Sequence, residues 1–83
     1  MRVLYFAWLR ERIGIGEEVI DPPAEVETVG ALMSWLAARD ETYAHAFANP
    51  KAVRAAIDQT LAKPSAPIAN AKEIAFFPPM TGG

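Results

Sequence analysis

A chain of 83 residues folds as one small domain, because a chain of this length encloses only one hydrophobic core. Its 52% hydrophobic and 22% charged residues exclude intrinsic disorder, and its net charge of −2 offers no basic surface for nucleic acid or an anionic membrane. With no cysteine and one histidine, the chain can form no disulfide or zinc site from its own side chains, and we expect no bound metal.

Two strands are predicted at the start of the chain. The apolar run over residues 3–9 is too short to span a bilayer, lacks a signal-peptide cleavage site, and is typical of a buried strand. Residues 17–21 predict a second strand, and the glycines of residues 14–16 predict a loop that joins the two as a hairpin. Since no membrane span or leader is predicted, we expect a cytoplasmic protein.

One main helix is predicted over residues 28–39. Its apolar residues follow the helical spacing i, i+3, i+4 and i+7, at Val29, Leu32, Met33 and Leu36. Thr28 is a natural N-cap for this helix. One further helical turn is expected over residues 43–48, ended by Asn49 and Pro50.

The last part of the chain predicts three strands. Residues 52–57 and 60–62 flank a tight turn and form a hairpin, prolines confine residues 63–70 to a loop, and residues 73–77 form the last strand. The order of elements predicts an α+β fold of the β-grasp (ubiquitin-like) roll type, with one main helix packed on a mixed sheet of four to five strands. The predicted domain covers residues 1–77, and residues 78–83 form an extended tail.

The sequence contains no convincing catalytic set. His45 has no cysteine or serine near it in sequence, and we interpret it as a capping or packing residue. Glu17 and Glu18 are consecutive, so they would point to opposite faces of a strand, and we expect both to be solvated. The function should therefore lie on the surface and in the tail.

The predicted sheet leaves apolar side chains without cover. Neighbouring residues of a strand point to opposite faces, and a single helix covers one face only. We expect Phe6 and Phe77, with Leu61 from the neighbouring hairpin, to form an apolar patch on the other face. Such patches mark binding surfaces. The alternative is that residues 63–70 or 43–48 cover this face.

The sequence predicts a tail that is extended and that ends in two residues without side chains. Its two prolines cannot continue a central strand and favour an extended course, and six residues span about 20 Å. Gly82 and Gly83 have no side chains, so the carboxylate of Gly83 could enter a narrow channel in another protein. The alternative is a frayed terminus without function, which does not explain why the tail starts beside the predicted patch.

The strongest family resemblance lies in residues 75–83, which read AFFPPMTGG. This ending resembles the C-terminal signature of the small subunits of molybdopterin synthase, the ubiquitin-like sulfur carriers of molybdenum cofactor biosynthesis. Residues 3–7 are similar to the first strand of that family, and residues 55–61 to its central hairpin. Met80 stands where a small residue is common in the family, and Asp58 where asparagine is common.

The resemblance implies that Gly83 carries sulfur. An adenylyltransferase of the ubiquitin-activating type would use ATP and Mg²⁺ to adenylate Gly83, which would then become a thiocarboxylate. In the large subunit of molybdopterin synthase, Gly83 would donate sulfur to cyclic pyranopterin monophosphate. The part of the tail that would insert there consists of Pro78, Pro79, Met80, Thr81 and Gly82.

The resemblance also implies how the chain meets its partners. Phe6, Leu61 and Phe77 would dock against both the adenylyltransferase and the large subunit, in a heterotetrameric synthase. The chain would bind no cofactor itself and would not be catalytic alone. Two other functions remain open, namely a sulfur carrier for thiamine thiazole synthesis and a ubiquitin-like modifier conjugated through Gly83.

Overall fold

The computed structural model describes residues 1–79, in which five strands form one mixed sheet with three α-helices. The strands are β1 (Arg2–Tyr5), β2 (Glu17–Val19), β3 (Arg54–Ile57), β4 (Thr60–Ala62) and β5 (Glu73–Phe77). The helices are α1 (Ala7–Ile13), α2 (Val29–Ala37) and α3 (Glu41–Ala46), and a 3₁₀ helix spans Pro50–Ala52. None of these helices has the length and apolar content needed to cross a bilayer.

The strand order is β2-β1-β5-β3-β4, with the first and last strands of the chain side by side. β1 and β5 are parallel, whereas the β1–β2, β3–β5 and β3–β4 pairs are antiparallel. The core lies between the sheet and the helices. Its largest fully buried side chains are Val3, Tyr5, Leu9, Val29, Leu32, Leu36, Ile74 and Phe76. This arrangement confirms the predicted α+β β-grasp roll.

The start of the chain differs from the prediction, because the apolar run is divided between a strand and a helix. β1 ends at Tyr5, Phe6 remains extended, and Ala7 turns the chain with a φ of 53° into α1. β1 and β2 still pair, but across a helix and not across a tight loop. A short apolar run fits a strand and a buried helix equally well. The available signal was Gly14, which ends α1 with a φ of 94°.

α2 confirms the main predicted helix and shows how its first turn is satisfied. The Thr28 hydroxyl oxygen accepts a hydrogen bond from the Ala31 N–H at 3.1 Å. The N–H groups of Val29 and Gly30 donate to carbonyls of the loop over residues 63–70, the latter to Pro64 at 2.8 Å. Gly30 permits this approach, since an added Cβ there would lie 3.3 Å from the Pro64 oxygen. The loop therefore packs on the helical layer.

α3 is longer at its start than the predicted single turn over residues 43–48. Asp40 begins it, because its carboxylate oxygen Oδ1 accepts from the Tyr43 N–H at 3.0 Å. Ala46 and Phe47 are buried in the core. The capping aspartate was the sequence signal for this earlier start.

The predicted β3–β4 hairpin is confirmed, although β3 begins at Arg54 and not at residue 52. Its two-residue turn places Asp58 and Gln59 at positive φ, 47° and 73°, as the right-handed twist of a hairpin favours. The Asp58 carboxylate also accepts from the Lys72 and Glu73 N–H groups, at 3.1 and 2.9 Å. The turn is thereby tied to the start of β5.

The left-handed conformation of Ala7 makes a testable prediction about stability. A residue with a Cβ is strained at this φ, so Ala7→Gly should raise the free energy of unfolding by roughly 0.5–1 kcal/mol in urea denaturation. The control is Ala31→Gly in the first turn of α2, which should lower it by up to about 1 kcal/mol. A loss of stability in both variants would contradict strain at Ala7.

Candidate functional site

The face of the sheet turned away from the helices, the open face, carries a continuous apolar row. Register places Leu4 beside Ala75, Ala75 beside Ala56, and Ala56 beside Leu61. Leu4, Ala56 and Ala75 each follow a buried residue of their strand, so they lie on the outer side of the sheet, and Leu61 lies there too because it pairs with Ala56. The two central alanines form a low floor between the two leucines.

The three residues predicted for the patch all lie on the open face. Leu61 is 76% exposed in the middle of the edge strand β4, and Phe6 is 47% exposed directly after β1. Phe77 ends β5 and is partly buried, and it lies next to Phe6 because the Phe6 N–H donates to the Phe76 carbonyl at 3.1 Å. Leu61 lies two strands from Phe77, about 10 Å away across the sheet.

No segment within residues 1–79 covers the open face. The loop over residues 63–70 bonds to the start of α2 and buries Ile68 in the core, and α3 with Phe47 also packs on the helical side. The alternative that one of these two segments covers Phe6 and Leu61 is therefore wrong. An apolar surface without intramolecular cover is typical of a binding site.

The open face has an apolar end and a charged end. Arg2 pairs with Val19 and Glu73 in the register, and its guanidinium forms ion pairs with Glu73 and Glu17. These charges lie where β5 begins. Phe6 and Phe77 lie at the other end, where β5 finishes, and the exposed Arg54 pairs with Phe77 at its border. The apolar end is thus the end from which the tail departs.

The predicted patch did not include the residues that lie between Leu61 and the two phenylalanines. Leu4, Ala56 and Ala75 join Leu61 to the phenylalanine pair, and all three are partly buried. The signal that identifies them is the alternation of the strands, because each is one position away from a core residue. The sequence does not by itself mark the two alanines as part of an apolar surface, since a small side chain occurs equally on inner and outer faces of a sheet.

The root of the tail lies directly beyond this end of the sheet. Pro78 and Pro79 follow Phe77, lie outside any strand and are partly buried. The predicted insertion residues Met80, Thr81 and Gly82, together with Gly83, lie outside the described residues. The tail therefore begins at the apolar end of the open face.

The most strongly connected polar side chain is on the helical side of the sheet. The Glu18 carboxylate accepts hydrogen bonds from the Tyr5 hydroxyl at 2.8 Å, the Tyr43 hydroxyl at 2.6 Å and the Arg39 guanidinium at 2.8 Å. Arg39 also lies over the Tyr43 ring, 4.7 Å from its centre. The expectation that Glu18 is solvated is wrong, because β1–β2 pairing sets it beside the buried Val3.

These contacts shift the pKa values of the cluster in consistent directions. Burial alone would raise the pKa of Glu18, but the hydrogen bonds from Tyr43, Arg39 and Tyr5 outweigh it and lower the pKa. Burial and the bond to Glu18 raise the pKa of Tyr43 to about 12, and the same causes raise the pKa of Tyr5. At neutral pH Glu18 is an anion and both tyrosines are neutral donors.

The Glu18 cluster holds elements together and has no arrangement for catalysis. All three partners donate to one carboxylate, so Glu18 has no proton to give, and Tyr5 is only 1% exposed. His45 is exposed in the last turn of α3. Within residues 1–79, no three acidic or histidine side chains are close enough together to hold a metal ion.

Comparisons with known proteins agree on a family and a fold. Residues 3–83 match the ThiS family. The chain is 39% identical to the molybdopterin synthase sulfur carrier subunits of Escherichia coli strain K12 and of Haemophilus influenzae, in each case over 100% of this chain and 99% of the relative.

Two solved structures share the fold. SAMP1 from Haloferax volcanii superimposes with a TM-score of 0.72 at 23% identity, over 100% of this chain and 98% of that one. A putative molybdopterin converting factor, subunit 1, from Pyrococcus furiosus superimposes with a TM-score of 0.73 at 24% identity, over 95% of each chain.

The Glu18 cluster makes the stability of the protein depend on pH. Because the folded-state pKa of Glu18 is lowered from 4.5, its stabilisation is complete above pH 4.5 and is lost as the pH falls through the folded-state value. Glu18→Gln should lower the free energy of unfolding by roughly 1–2 kcal/mol at pH 7. Urea denaturation between pH 7 and pH 3 should show this difference shrinking in acid.

Glu17→Gln is the matched control, because its side chain is 59% exposed on the opposite face of the same strand. It should change stability little at any pH. Equal losses in the two variants, or a Glu18→Gln difference that persists at pH 3, would contradict the role assigned to the cluster.

Proposed function

The chain belongs to the ThiS family, and we propose that it is the sulfur carrier subunit of a molybdopterin synthase. The structural observation that carries the proposal is the apolar end of the open face, where Phe6 and Phe77 lie beside the root of the tail. The support from sequence is the full-length similarity to two carrier subunits of that name. The sulfur would serve the synthesis of molybdopterin for the molybdenum cofactor.

The proposed chemistry takes place at the carboxylate of Gly83. A C-terminal carboxylate has a pKa of about 3.5, so it is ionised at neutral pH and is a poor electrophile. An activating enzyme of the ubiquitin type, using ATP and Mg²⁺, converts it to an acyl adenylate and releases pyrophosphate. A sulfur donor then displaces AMP to give the thiocarboxylate. Because activation consumes ATP, we place the protein in the cytoplasm.

Transfer takes place in the large subunit of the synthase, which holds the pterin. The tail, from Pro78 to Gly82, carries the Gly83 thiocarboxylate into that subunit, where its sulfur attacks cyclic pyranopterin monophosphate and forms a thioester between Gly83 and the pterin. Water then cleaves the bond between the Gly83 carbonyl and the sulfur, so the sulfur stays on the pterin and Gly83 returns to a carboxylate. Two transfers supply the two sulfurs of the dithiolene. The carrier contributes sulfur and reach, whereas acid and base groups come from the large subunit.

The part of the open face that carries Phe6, Leu61 and Phe77, here called the docking face, must serve two partners. The activating enzyme and the large subunit both need the tail, and the tail leaves the sheet beside Phe6 and Phe77. A partner that receives the tail therefore also covers the apolar end of the open face. Binding is alternate, since the first partner must leave before the second can dock.

Changing the C-terminus tests the chemistry. A residue appended after Gly83 should abolish thiocarboxylate formation and pterin conversion, because the activated carbonyl would no longer belong to glycine at the end of the tail. Intact mass spectrometry after incubation with the activating enzyme, ATP and a sulfur source measures the replacement of one oxygen by sulfur.

Molybdopterin formation with the large subunit measures sulfur transfer. Thiazole formation in place of molybdopterin would assign the chain to thiamine synthesis. Full pterin conversion by the extended chain would contradict the proposal.

Changing Leu61 tests the docking face separately. Leu61→Ala should weaken binding of the large subunit about tenfold, as expected for one apolar interface contact, and should leave thermal stability unchanged because the side chain is 76% exposed. Val19→Ala is the matched control, since Val19 is 80% exposed on the charged end of the same face. Titration calorimetry should find Val19→Ala equal to wild type. Equal weakening by both would show that the patch is not the docking surface.

A further inference from the structure

A groove of about 730 Å³ lies between α2 and the β3–β4 hairpin, on the helical side of the sheet. Its apolar floor is formed by Val29, Met33, Phe47, Val53, Ala55 and Ala62. The two alanines pair with each other and alternate with Ala56 and Leu61 of the open face. The groove and the docking face therefore lie on opposite sides of the same two strands.

The groove exists because small residues face one another across it. α2 contributes Gly30, Ser34 and Ala37, and the hairpin contributes Ala55 and Ala62. Protein interiors are normally filled to the density of organic crystals, so an unfilled apolar groove next to the core is a site that a ligand can fill.

The size of the groove limits what it can hold. On one side the loop closes onto α2, where the Gly30 N–H donates to the Pro64 carbonyl at 2.8 Å. The volume of the groove falls in the range of roughly 300–1,000 Å³ found for small-molecule sites, so it suits a small molecule better than a segment of a longer chain.

The mouth of the groove is positively charged. Lys51 and Lys63 line it, both are exposed, and no aspartate or glutamate of residues 1–79 is among its lining residues. Arg54 also lines the groove, but it pairs with Phe77 in the register, so it lies at the border with the open face. Its guanidinium donates to the Lys51 backbone carbonyl at 2.9 Å, which holds the Arg54 charge close to that backbone. The three ion pairs of the described residues involve other arginines. The mouth is thus cationic in a chain whose net charge is −2.

We propose that this groove binds a small single-chain amphiphile with an anionic head group, of the medium-chain carboxylate type. Its hydrocarbon chain lies on the apolar floor, and its carboxylate lies at the mouth close to Lys51 and Lys63. Burial of methylenes supplies affinity, and the cations select against neutral and positively charged amphiphiles. The site shares only Arg54 with the border of the open face and no residue with the tail, and its floor and its two lysines lie elsewhere, so it does not depend on the proposed function.

Decanoate, below its micelle-forming concentration, is the probe. It should bind the full chain saturably at pH 7 and shift the backbone amide signals of Gly30, Ser34 and Lys63 in nuclear magnetic resonance spectra. The amide of Val19, on the far edge strand, should not move. Octanoate should bind up to about sixteenfold more weakly, because it lacks two methylenes and each contributes up to about fourfold in affinity. Decyltrimethylammonium, with the opposite charge, should bind more weakly than decanoate.

Matched variants test the two halves of the site. The double variant Lys51→Gln with Lys63→Gln should weaken decanoate binding at least about fivefold, whereas Arg10→Gln with Lys72→Gln removes the same charge elsewhere and should change it less than twofold. Ser34→Trp should block the groove, because Ser34 is an exposed lining residue of α2. Ala38→Trp, at the end of α2 and outside the groove, should not.

Three results would overturn the proposal. Decanoate shifts centred on Phe6, Leu61 and Phe77 would place binding on the open face. Equal weakening by the two charge variants would show attraction to the whole chain and no specific site. Saturable binding of an acidic apolar peptide to the groove, without binding of decanoate, would assign the groove to a protein partner.

Discussion

The parallel pairing of the first and last strands is the constraint on which the rest of the structure depends. β1 and β5 run side by side at the centre of the sheet, joined in register from Arg2 and Glu73 to Tyr5 and Phe76. Closing so long a loop costs chain entropy, and the buried Val3 and Ile74 on this pair help to offset it. Because both strands finish at the same end, Phe6 and the start of the tail at Pro78 are placed there by this buried strand pair.

Glu18 connects the strands and helices on the helical side of the sheet. Its carboxylate joins its own edge strand β2 to Tyr5 of β1, Tyr43 of α3 and Arg39 beyond the end of α2. Such charge-assisted bonds are shorter and stronger than neutral ones. The helices are therefore held by contacts on their own side of the sheet. The fold needs no contact on the open face, which leaves Phe6 and Leu61 available to other proteins.

The sequence predicted the elements whose signals are local and repeated. The spacing of Val29 to Leu36, the turn at Asp58 and the alternation of residues 73–77 each identified an element correctly. It did not predict α1. The chain leaves β1 through the positive φ of Ala7, and an alanine within an apolar run does not indicate such a turn. Nor did it predict the Glu18 cluster, whose partners are 13 to 25 residues away and meet only through sheet pairing and helix docking.

If the carrier serves its two proposed partners in turn, its docking face must release each partner as readily as it binds. Affinity depends on a few well-packed anchors more than on area, and the open face offers two phenylalanines and two leucines around a floor of Ala56 and Ala75. A patch of this size gives only part of the affinity that a stable complex needs. Under the proposed function the inserted tail would supply the rest, because linked contacts strengthen each other only when both can be made at once. A partner that releases the tail after its reaction at Gly83 would then bind the carrier more weakly.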